Sequence, residues 1–255
     1  MKAADSNTQK PIVYLTFDDG PSGDNVTEHI LDVLAEHNAK ATFFVTGSRV
    51  RANPEKIARI IYDGHVLGNH TLNHSHLTTL SDQQIAEEFI MTSEYVFDAG
   101  GPGLNCFRAP FGATDKRVND IARRMGMRSV GWTIDTRDWD EYADPEYMSV
   151  QLEDSYHKSV VLLHDGPASR WRTLAVFSRW MEEAGHLYDF KALPECVHPL
   201  DGKFASLEVE LQETGTSGTG STVDTITALL EKLRNYKISL EPEVVAQNQN
   251  QVTTF

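Results

Sequence analysis

The chain has 255 residues, 40% of them apolar, and a formal net charge of −14. That length supports one sizeable core, in the range where single α/β barrels are common. The acidic balance excludes nucleic acid or an anionic membrane as the expected main partner, since both select positive surfaces, and no apolar run reaches the roughly 18 residues a spanning helix needs.

Residues 1–10 are polar and lack an apolar h-region, so they read as a flexible N-terminus with no visible signal peptide. The expected location is secreted or periplasmic if the start has been trimmed, and cytoplasmic otherwise. Residues 12–17 form an apolar strand that delivers Asp18 and Asp19 to a Gly20-Pro21 turn. A helix is predicted over 27–36 from the spacing of Ile30, Leu31, Val33 and Leu34, and a strand over 41–45. Pro54 starts a helix over 54–62, and residues 65–68 form a strand that ends at His70 and His74. Ser81 caps a helix running to about residue 97. A short strand over 106–108 leads into Ala109-Pro110-Phe111-Gly112, and a helix over 116–125 stops at Gly126. Residues 128–134 read as one strand, 147–156 as a helix, 160–163 as a strand, 172–183 as a helix closed by Gly185, and 188–193 as a final strand.

This alternation predicts a parallel sheet wrapped by helices. The domain it forms is expected to span 11–198. Residues 199–255 read as a C-terminal extension or small appended module: a strand over 207–211, a Gly/Ser/Thr linker over 214–222 and a helix over 223–233. Cys106 and Cys196 are the only cysteines; they could make one disulfide, but two free buried thiols are the favoured reading.

The polar motifs fall repeatedly at the carboxyl ends of strands: Asp18 and Asp19, His70, Arg108, Asp135, His164. In a β/α barrel that end carries the active site. One carboxylate with two imidazoles makes a facial set of metal ligands that leaves coordination positions open. A second carboxylate beside it can take a proton from water, which predicts metal-assisted hydrolysis.

Five blocks occur in order: TFDDGP (16–21), HTLNH (70–74), RAPFG (108–112), DTRDW (135–139) and VLLHDG (161–166). Together they resemble the polysaccharide deacetylase family, the NodB-homology domain of carbohydrate esterase family 4, over about residues 10–196. The resemblance implies a distorted (β/α)₇-type barrel with its active site at the carboxyl ends of the strands. It implies metal-dependent removal of N-acetyl groups from N-acetylglucosamine oligomers or polymers. Chitin or chitooligosaccharide is the favoured substrate, with peptidoglycan and acetylxylan behind. A reading of another class is a non-catalytic carbohydrate-binding relative.

By the same resemblance, Asp19, His70 and His74 are metal ligands, most suited to Zn²⁺ but open to Co²⁺ or Ni²⁺. Asp18 is the base, held ionised by Arg108, and His164 is the general acid. Asp135 or Asp138 orients His164, with Asp135 favoured. Phe111 supplies a backbone N–H to the oxyanion, where many relatives carry tyrosine. Trp139 and Leu162 form the pocket for the acetyl methyl. Ser75 and His76 stand where the family usually has proline after the second histidine, and His76 is a weaker candidate ligand than His74.

Overall fold

The computed structural model describes residues 10–166 and 170–197, so the predicted tail strand, linker and helix lie outside the described residues, as do residues 1–9. In chain order the elements are β1 (Ile12–Asp18), α1 (Val26–Glu36), β2 (Ala41–Val45), α2 (Gly47–Ala52), α3 (Pro54–Tyr62), β3 (Val66–Asn69), α4 (Asp82–Asp98), β4 (Cys106–Phe107), α5 (Lys116–Arg124), β5 (Arg128–Ser129), β6 (Ile134–Asp135), α6 (Pro145–Glu153), β7 (Ser159–His164), α7 (Trp171–Ala184) and β8 (Asp189–Phe190). The sheet is parallel throughout, in the order β5-β4-β3-β2-β1-β7-β6, with β8 pairing the start of β1. Central β1 sits between β2 and β7, which is why its two aspartates emerge in the middle of the sheet's carboxyl edge.

Local chemistry sets the boundaries. Ser81 and Gln84 form a capping box at the start of α4, and Asp115 caps α5 through the Val118 N–H. Gly126 stops α5 with a φ of 79°, a left-handed conformation that favours glycine. Gly185 does not act this way. It stays right-handed and opens one 3₁₀ turn, Gly185–Leu187, after α7.

The run over 128–134 is not one strand but two, each of two residues, on opposite edges of the curled sheet. The four residues between them cross the open side. Val130 N–H bonds the Phe107 carbonyl and Thr133 N–H bonds the Val160 carbonyl, so this strap joins both edges without pairing them directly. The sheet is therefore a half-barrel closed by a strap.

Period-two alternation gives the sheet two different faces. On β1, Val13, Leu15 and Phe17 face outward and pack with Ile30, Leu31, Phe43 and Phe177 into the main core beneath the helices. Thr16 and Asp18 face inward. Beneath them lies a smaller apolar floor of Phe44, Val66, Cys106, Leu193 and Cys196. The two cysteines are not free thiols: Cys106 and Cys196 form a disulfide with their Cα atoms 4.8 Å apart. Gly68 is required beside this floor, because a Cβ there would lie 2.4 Å from the Phe44 ring and 2.9 Å from the Cys106 sulfur.

Candidate metal centre and catalytic groove

Asp18 and Asp19 leave β1 in opposite directions. Asp18 is buried, and its Oδ1 accepts from Arg108 Nη1 at 2.8 Å. Arg108 follows β4 and is itself buried. It also donates to Thr16 Oγ1 and to the strap carbonyls of Gly131 and Val130, with its guanidinium over the Phe44 ring. Burial draws the Arg108 pKa below its usual value while Asp18 opposes that, and the two form a buried, hydrogen-bonded ion pair.

Asp19 adopts a φ of 74° and turns its carboxylate to the two histidines that follow β3. His70 Nε2 and His74 Nε2 each lie 3.2 Å from Asp19 Oδ1. Burial works against a charge on Asp19, yet the contact with His70 and the nearby imidazoles of His164 and His74 hold its carboxyl at about 2. His74 is held below its ordinary value, first by burial.

The donor set fits a cation. His70 Nδ1 lies 2.8 Å from the Arg108 carbonyl, which only accepts, so Nδ1 carries a proton and Nε2 is the ring atom aimed at the cluster. Nε2 faces Asp19 Oδ1, a buried oxygen with no other hydrogen-bond partner. A divalent ion between imidazole and carboxylate would satisfy both, as in a metal site. Asp19, His70 and His74 are the one group of converging ligand atoms found among the described residues, all within 4.8 Å of one another. His76 is not part of it. It is exposed and stacks on Phe111 at 5.6 Å, while the Phe111 ring meets the His74 ring edge-on at 4.6 Å.

On the other side of Asp18, β7 ends in His164. Its Nδ1 lies 2.7 Å from Asp138 Oδ1, and its backbone N–H donates to Asp138 Oδ2 at 2.8 Å. Thr173 Oγ1 also donates to Asp138 Oδ2. The orienting carboxylate is thus Asp138, not Asp135. Burial opposes charge on His164, but Asp138, and then Asp18 and Asp19, raise it to about 9. Asp138 is correspondingly lowered, with the His164 imidazole overcoming its burial.

Asp135 has a different task. Its Oδ1 accepts from the Arg137 N–H and from Trp139 Nε1, at 2.9 and 3.3 Å, so it aims the half-exposed Trp139 ring. Leu162 is buried on the inward face of β7, two residues before His164. Trp139, Asp140, Glu141 and Tyr142 line a cavity of about 590 Å³ that reaches Asp138. Arg170 and Arg172 line it too, so its wall carries both signs of charge.

Sequence reasoning missed three supporting groups. Thr16 shares Arg108 with Asp18. Asp165, fully buried and raised to about 7 chiefly by that burial, accepts from Thr27 and packs against Gly20, where a Cβ would come within 2.3 Å of its oxygens. Glu88 on α4 accepts from the loop carrying the two histidines. Four non-glycine residues around the site, Asp19, Thr71, His74 and Phe111, have φ between 56° and 74°. Such conformations cost energy and persist where the surroundings over-determine them.

The polysaccharide deacetylase family model matches residues 5–130. A peptidoglycan-N-acetylglucosamine deacetylase of Listeria monocytogenes is 39% identical over 154 residues, covering 60% of this chain and 32% of that protein, so the chain spans about a third of that relative's length. A chitooligosaccharide deacetylase of Rhizobium leguminosarum is 38% identical, covering 60% of this chain and 71% of that protein. Among solved structures, a family 4 carbohydrate esterase from Streptomyces lividans in complex with acetate has a TM-score of 0.65 at 28% identity, covering 74% of this chain and 98% of that one.

Proposed function

The chain belongs to the polysaccharide deacetylase family, carbohydrate esterase family 4, and from that premise we propose that it is a metal-dependent hydrolase removing N-acetyl groups from N-acetylglucosamine units of an oligo- or polysaccharide. The observation that carries this reading is the pairing of two devices across Asp18: the converging Asp19–His70–His74 ligand atoms on one side and the Asp138-held imidazole of His164 on the other.

Asp19, His70 and His74 would hold the ion. When bound, a divalent cation supplies Lewis acidity, polarising the acetyl carbonyl and lowering the pKa of water. Asp18, paired with Arg108, accepts the proton of the attacking water as the water oxygen bonds the acetyl carbon. The Phe111 N–H donates to the oxyanion, and Trp139 with Leu162 encloses the methyl. His164 then gives its Nε2 proton to the sugar nitrogen as the C–N bond breaks, because an amine leaves only when protonated. Acetate and a free amino sugar result, with no covalent enzyme intermediate.

Chitooligosaccharide is the substrate we favour. The relative that supports it aligns over most of its own length, while the Listeria relative keeps peptidoglycan as the second reading. The presence of both Asp18 and His164 argues against a binding-only role. The disulfide supports work in an oxidising compartment, secreted or periplasmic, since cytosolic thiols are kept reduced.

The test is acetate release from chitopentaose by metal-stripped protein, with and without added Zn²⁺ or Co²⁺. Metal-restored release is expected. Release from peptidoglycan or acetylxylan alone would move the substrate, and silence on all three with metal bound would leave the binding-only reading.

A further inference from the structure

The two histidines sit on a loop that has no regular structure of its own, yet they must present two lone pairs to one point. Thr71 and His74 on this loop have φ of 67° and 56°, a left-handed backbone that neither residue favours. Part of what holds it is local. Thr71 N–H donates to Asn69 Oδ1, Ser75 N–H donates to Thr71 Oγ1, and the carbonyls of Thr71 and Leu72 accept from Gly47 and Ser48 at the start of α2. Among the described residues, the ionisable side chain that grips the loop from outside is Glu88, in the second turn of α4. Its Oε2 accepts from the Leu72 and Asn73 N–H groups, at 2.7 and 3.0 Å, and its Oε1 accepts from Ser75 Oγ at 2.7 Å. Leu72 and Asn73 lie between the two histidines and Ser75 follows the second, so one carboxylate spans the strained segment.

Glu88 is only 9% exposed. A buried carboxylate costs several kcal/mol unless its lone pairs are used, and here three donors use them. That outlay has no return in apolar packing, since an alanine would suit the helix equally well. Its return is the loop's shape.

We propose that Glu88 is a positioning residue for the metal centre: it fixes the spacing of His70 and His74, and so sets the affinity for the ion without touching it. This rests on reading Asp19, His70 and His74 as metal ligands. Groups that orient ligands from outside a metal's own coordination shell typically change its affinity by about 10- to 100-fold.

The experiment is titration of Co²⁺ into the metal-stripped full chain against a competing chelator, following cobalt's visible absorption, which reports coordination geometry. Glu88→Ala is expected to raise the Kd by about 10- to 100-fold and to change the spectrum. Glu88→Gln keeps the shape but turns an amide N–H₂ towards a donor, so it should fall between, and Ser75→Ala should weaken binding by a few-fold. These two variants decide the question if Glu88→Ala does not fold. Val96→Ala, buried on the same helix in the main core, is the stability control and should bind cobalt like the parent. A Kd for all the Glu88 and Ser75 variants within twofold of the parent would overturn the proposal, as would equal weakening by Val96→Ala. Failure of the parent itself to bind cobalt would overturn the metal reading beneath it.

Discussion

Two aspartates in one short motif do unlike work. Asp138 takes four hydrogen bonds, two from His164 and one each from the Thr173 and Thr136 hydroxyls, whereas Asp135 takes one from a backbone N–H and one from the Trp139 indole. Asp138→Asn should lower kcat on the amide substrate by about 10²- to 10⁴-fold, the range for loss of a general acid's support. Asp135→Asn should instead raise KM with a smaller change in kcat, because only the Trp139 wall is loosened. Steady-state kinetics on one chitooligosaccharide separates the two. The pH profile has a definite sign. His164 acts as an acid and is active while protonated; with its pKa raised to about 9, kcat should fall as pH rises through about 9. Removing Asp138 removes the main force raising that pKa, so the alkaline limb should move to lower pH in Asp138→Asn. Spacing alone does not say which aspartate meets His164. The two side chains are three residues apart on a loop whose direction is set by Arg137, at a φ of 53°. Asp18, Asp19, His70 and His164 were legible for a simpler reason: each ends or follows an apolar run, and the end of a parallel strand has one destination, while His74 was read from its spacing to His70 in the family motif.

Elements that the sequence marks with their own chemistry are found where that chemistry puts them: the capping box of α4, Pro54 at the start of α3, Gly126 after α5. Elements defined by distant partners are not. The 128–134 run has strand-like residues at both ends, but its middle is pulled across the opening by Arg108, which comes from a different strand. The disulfide joins residues 90 positions apart, inside two apolar segments that look like ordinary core. Glu88 reads as one more acidic position on an amphipathic helix. The disulfide carries a direct prediction. A cross-link closing a loop of this length should contribute about 4–5 kcal/mol by restricting the unfolded chain. Denaturant unfolding with and without reductant, and of a Cys106→Ala/Cys196→Ala variant, should show that loss in the midpoint, and thiol titration of the native chain should find no free thiol.

At the scale of the whole molecule, a net charge of −14 favours neutral or cationic chains over anionic ones. A partly deacetylated oligomer carries ammonium groups, so its KM should rise with salt as screening weakens the attraction, while that of a fully acetylated oligomer should stay flat. The fold that presents this groove is a hoop with a gap, and one side chain is the clasp. Arg108 reaches Thr16 and Asp18 on the central strand with one end of its guanidinium and the strap carbonyls of Val130 and Gly131 with the rest. Reactivity and closure therefore share a fastening. Descendants that shed the reaction but keep the groove are expected to drop Asp18 or His164 and to retain the arginine, since undoing the clasp would spring the hoop itself.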